Sequence, residues 1–64
     1  MVIEMSGSEF RKIRKRLRLK QEQLGRLLGR TRHAISKIET QENVPSIYVL
    51  AIRQLEATAS DVAA

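Results

Sequence analysis

An all-α fold, a compact bundle of four or five short helices containing a helix-turn-helix, is what three features of this sequence predict. Apolar residues recur at helical spacing in four successive segments, and Gly29 and Pro45 punctuate them where helices stop. Strand-like alternation is confined to Val2-Ile3-Glu4-Met5. Residues 1–7 therefore read as an N-terminal arm, disordered or added as a small strand at a subunit interface. Residues 8–57 form the domain, and residues 58–64, small and weakly polar, form a frayed tail.

The first helix starts near Ser6, because Ser6 and Glu9 have capping-box spacing. Phe10, Ile13, Arg14 and Leu17 then fall on one stripe, with Arg11, Lys12, Lys15, Arg16 and Arg18 off it. An arginine on an apolar stripe needs a partner. The second helix covers about residues 21–28, with Leu24, Leu27 and Leu28 as its apolar positions. Gly29, tolerant of the left-handed conformation, stops it. Thr31 caps a third helix over about residues 32–40, whose inner face is Ala34, Ile35 and Ile38. Pro45 disfavours helical geometry at Val44. Ser46 then caps a fourth helix over about residues 47–57. Tyr48, Ala51, Ile52 and Leu55 are its stripe, widened by Ile47 and Leu50. So small a domain cannot bury both flanks of such a helix, so Ile47, Tyr48 and Leu50 are the expected contact with a second subunit.

The net charge of +5 is unevenly placed. Residues 11–37 hold eleven Lys and Arg against one acid, Glu22, and the remaining residues hold Arg53 against six acids. A basic block of this kind suits a polyanion, nucleic acid before an anionic membrane surface. With no cysteine and one histidine, disulfides, zinc sites and a bound cofactor are not expected. No nucleophile-base pair, phosphate loop or paired carboxylates suggest an enzyme. Neither a signal peptide nor a membrane-length apolar run is present, so the expected location is cytoplasmic.

Within the twenty residues from Gln21 to Thr40, the fifth and ninth are Gly25 and Gly29, and Leu24, Leu28, Ile35 and Ile38 are apolar. A small fifth residue allows close crossing of the two helices, the ninth supplies a positive φ, and the apolar four lock the crossing angle. Together with Phe10-x-x-Ile13-Arg14, Leu19-x-Gln21-x-x-Leu24-Gly25, Leu28-Gly29-x-Thr31, Ala34-Ile35-Ser36-x-Ile38-Glu39 and Pro45-Ser46, this resembles the phage repressor and Cro (XRE) family over about residues 8–57. The resemblance implies a lambda-repressor-like bundle that binds operator DNA as a two-fold dimer. Lys20 stands where the family has a capping Ser or Thr, Arg30 where it has an apolar residue, and Gln41 where it has Gly.

On a helical wheel, Arg32, His33, Ser36, Lys37 and Thr40 lie opposite the inner face of the third helix. Only the major groove admits a helix and distinguishes every base pair, so Arg32, His33, Ser36 and Lys37 are the expected base contacts. The resemblance gives Gln21 a phosphate contact, and Lys20, Arg30, Thr31, Thr40 and Asn43 flank the groove as further phosphate partners. Arg26 and the first helix's Arg11, Lys15 and Arg18 are further phosphate candidates, of which some must point away from DNA. The resemblance also implies a partly buried Arg14–Glu39 ion pair, which would give the stripe arginine its partner. The expected activity is that of a homodimeric transcriptional repressor. The alternative is an antitoxin-like or antiactivator-like interaction module that also regulates its own operon. A membrane-surface helix would lack tryptophan and leave the motif unexplained, and RNA stacking has only Phe10 and Tyr48 to use.

Overall fold

Four helices account for most of the residues 4–63 that the computed structural model describes, with side chains placed as far as Ala59. The first, α1 (Gly7–Arg16), starts where Ser6 accepts the Glu9 N–H at 3.1 Å, removing one of the unpaired donors of the first turn. It buries Phe10 and Ile13 completely. It ends in a reversal in which Arg18 N–H donates to Lys15 and Leu19 N–H to Arg14. That geometry needs a left-handed residue, and Arg18 supplies it at φ 59°. Nothing in a sequence lacking glycine at this point announces such a turn.

The second and third helices, α2 (Gln21–Leu28) and α3 (Arg32–Glu39), pack on each other. Lys20 has no acceptor to cap α2, but the Gln23 side chain accepts the Lys20 N–H at 2.8 Å. Gly29, at φ 69° with open space around it, ends α2 for conformational reasons alone. Gly25 is required for space: a Cβ there would lie 2.6 Å from the Arg30 carbonyl oxygen. The small fifth residue thus admits the backbone of the turn. Thr31 accepts the Ala34 N–H at 3.2 Å and starts α3. The chain leaves α3 at Gln41 with no left-handed residue, so this loop does not need glycine.

The fourth helix, α4 (Ser46–Ala63), is longer than the sequence suggested. Residues 58–63, expected to fray, continue it, because they contain no glycine or proline to stop it. Pro45 accepts the Tyr48 and Val49 N–H groups through its carbonyl, so it rather than Ser46 sits at the cap position. The buried line of α4 is Val49 and Ile52, with Tyr48, Ala51 and Leu55 half-buried. The core face is therefore turned toward Val49 relative to the stripe read from spacing.

The core joins Met5, Phe10, Ile13, Leu24, Ile35, Ile38, Val44, Val49 and Ile52. The N-terminal arm reading meets a limit here. Its residues 1–3 lie outside the described residues, but Met5 is buried and its carbonyl accepts the Val44 N–H at 2.8 Å. Gly7 N–H donates to the Gln41 carbonyl at 2.8 Å. This start of the chain is thus clipped to the α3–α4 loop. A Cβ on Gly7 would meet the carbonyl oxygens of Ile38, Glu39 and Gln41, each at 2.6 Å. Among the described residues no helix is long and apolar enough to cross a membrane.

Candidate nucleic-acid interface

The exposed side of α3 is prepared by what holds its other side. Ile35 and Ile38 are buried and Ala34 is half-buried, so rotation about the helix axis is blocked. Arg32, His33 and Lys37 are then exposed, and Ser36 is half-buried. Arg32, His33 and Ser36 line one shallow hollow of about 310 Å³. Lys37 stands outside it, further along the helix. The face carries the guanidinium of Arg32, the ammonium of Lys37, one imidazole and one hydroxyl, with no acidic side chain between residues 23 and 38 to oppose them.

The angle of α3 is set from its far end by a buried polar network. Arg14 Nε donates to Glu39 Oε2 at 2.6 Å, and its terminal nitrogens donate to Glu39 Oε1 at 3.2 Å and to the Leu19 carbonyl at 2.9 Å. The two side chains are only 10% and 4% exposed. Gln21 Nε2 donates to the same carboxylate at 3.2 Å. One carboxylate thus ties α1, α2 and α3 together, and a two-pronged guanidinium contact of this kind fixes orientation as well as distance. No buried side-chain polar atom among the described residues is left without a partner.

The residues read as phosphate partners fall in three places. Lys20 and Gln21 stand at the start of α2, Lys20 exposed and Gln21 half-buried with part of its amide spent on Glu39. Arg30 and Thr31 are exposed on the turn before α3. The Arg30 guanidinium lies 5.7 Å from the centre of the Tyr48 ring, within the range of a cation–π contact. Its apolar counterpart in the motif is thus replaced by a cation that still packs on α4. The Thr31 hydroxyl accepts from Ala34 and keeps its own proton for an external acceptor. At the other end of α3, Thr40 donates its hydroxyl proton to the Lys37 carbonyl at 2.7 Å, so it offers no donor to a phosphate while that bond stands. Asn43 is exposed in the loop beyond.

Spacing left open which of the α1 cations, Arg11 among them, face the same side as α3. Arg11 joins Arg14, Lys20, Gln21, Glu22 and Arg32 around a cleft of about 490 Å³. The signal was available: Arg11 precedes Arg14 by one helical turn, so whatever side of α1 meets α3 also carries Arg11. Of the expected subunit contacts, Ile47 is 67% and Leu50 55% exposed, whereas Tyr48 packs against the core and Arg30.

A family model described as a helix-turn-helix domain matches residues 7–63, nearly all of the chain. Comparison with curated proteins and with solved structures gives no match.

Proposed function

Because the chain belongs to the helix-turn-helix domain family, we propose that it is a sequence-specific, double-stranded DNA-binding regulator of transcription, a repressor of the XRE kind. It binds a two-fold symmetric operator as a homodimer, with α3 in the major groove. The observation that carries this reading is the exposure of Arg32, His33 and Lys37 on a helix clamped by Ile35 and Ile38. A helix so held can enter a groove of about 12 Å as a rigid body. Residues at its N-terminal end approach the base edges most closely.

Phosphate contacts from Lys20, Gln21, Arg30, Thr31 and Asn43 set the register without reading sequence. The exposed Ile47 and Leu50 favour a second copy as partner, since two copies present two recognition helices about one DNA turn apart.

The test is selection of bound duplexes from a random library, followed by binding at several salt concentrations. A two-fold symmetric motif is expected, with affinity falling steeply as salt rises because bound phosphates release counterions. His33→Ala should alter the preferred base at one position in each half-site, whereas Gln21→Ala should weaken all sites alike. Recovery of no enriched sequence would refute the reading.

A further inference from the structure

We propose that Arg11, Lys20 and Arg32 form one oxyanion site for a DNA backbone phosphate. Arg32 is then a backbone ligand, not a base reader, and α1 is part of the interface. The inference rests on the DNA-binding reading and assigns one subsite within it.

The charges around the 490 Å³ cleft do not cancel evenly. Arg14 is neutralised by Glu39 in a buried pair, and Glu22, the one acid on the rim, turns to Arg26 at 2.9 Å in an exposed one. Arg11, Lys20 and Arg32 remain, exposed and with no ion-pair partner among the described residues. Three like charges around one hollow repel each other until an anion enters. The cleft holds many times the roughly 30 Å³ share of a single water, so a phosphodiester group fits. Gln21 closes one side; it spends one amide proton on Glu39 and keeps the other, with its carbonyl oxygen, free.

The cations of α1 are divided between two surfaces. Arg14, fastened to Glu39, holds its side of α1 against α3, and Arg11 one turn away shares that side. Lys12, Lys15 and Arg16 line a separate hollow on the outer side, where Arg16 lies 3.8 Å from Glu56. Arg32 lines both the cleft and the hollow shared with His33 and Ser36, so it stands at the border between backbone and groove. A guanidinium that shares its cleft with two other cations is drawn to a full negative charge, which a phosphate carries and a base edge does not. Base reading then falls to His33, Ser36 and Lys37.

The experiment uses the full chain and its selected duplex. Binding is measured against salt for the wild type, Arg11→Ala, Arg32→Ala and Lys12→Ala, the last a control from the outer side of α1. Arg11→Ala and Arg32→Ala should each weaken every sequence by the same factor, and because the two residues share one phosphate, the double variant should flatten the slope of log affinity against log salt by no more than about 0.9. Lys12→Ala should match the wild type. Replacing one phosphate at a time by methylphosphonate should reveal one position where the wild type and Arg11→Ala bind equally. Arg11→Ala behaving like Lys12→Ala, or Arg32→Ala relaxing the preference at one base pair, would overturn the assignment while leaving DNA binding intact. Inorganic phosphate titrated against the arginine Nε–H NMR signals separates a free ion from a backbone phosphate. Saturation at micromolar concentration would overturn the backbone source. A wild type that binds no duplex would overturn the DNA reading itself.

Discussion

Replacing Arg14 by alanine tests how α3 is held. The substitution leaves the Glu39 carboxylate, 4% exposed, without its counter-charge, and the Leu19 carbonyl without its side-chain donor. Gln21 remains as a single neutral donor. Breaking a buried ion pair from one side costs about 3–5 kcal/mol. A chain of 64 residues has about 3–10 kcal/mol in all, so the loss is comparable to the whole stability. At about 4–8 °C per kcal/mol for a domain of this size, the unfolding midpoint should fall by more than about 10 °C. Thermal unfolding followed by circular dichroism at a helix band measures it. Arg11→Ala, on the same helix but exposed, should stay within about 0.5 kcal/mol of the wild type. The double variant Arg14→Met with Glu39→Leu should be more stable than either single one, since apolar replacement of both partners removes the stranded charge. Equal midpoints for Arg14→Ala and Arg11→Ala would refute the reasoning.

Three further outcomes follow from the packing. Gly7→Ala should lose about 1–3 kcal/mol, because three carbonyl oxygens occupy the place of its Cβ; an unobstructed helical glycine would instead gain about 0.5–1 kcal/mol, so the sign of the melting shift decides. Arg18→Gly should raise stability by up to about 1 kcal/mol by relieving the left-handed conformation at φ 59°, and a lower urea midpoint would contradict that geometry. Leu50→Glu, at a position 55% exposed, should abolish dimers in sedimentation equilibrium, and at dilutions where the wild type is monomeric it should unfold within about 0.5 kcal/mol of it. A variant that stays dimeric would remove Leu50 from the subunit contact.

Local chemistry made most of the helix boundaries legible. Ser6 and Thr31 do cap α1 and α3 through their hydroxyls, and Gly29 does take the positive φ that ends α2. These signals act within one helical turn, so a linear reading reaches them. The far end of α4 was missed because residues 58–63 carry weak preferences and no stop. Its core face was misplaced because apolar residues surround the helix there, and spacing alone does not choose among Tyr48, Val49 and Ile52. Lys20 was read as a lost cap, yet Gln23 serves the same turn from the other direction.

The candidate site divides in the same way. Which residues of α3 face outward follows from periodicity, since one turn of helix relates them. That Arg11 shares a cleft with Arg32, twenty-one positions away, does not, because nothing local relates the two.

From the sequence alone came the four helices, the turn at Gly29, the partition of α3 into an apolar and a cationic side, and the block of positive charge. Each of these depends on neighbours within a few residues. The tertiary structure decided that Met5 is core, that Gly7 lies against the last carbonyls of α3, and that Arg14, Gln21 and Glu39 close one network across three helices. Those outcomes depend on distances between segments remote along the chain, and such distances exist only once the helices have packed.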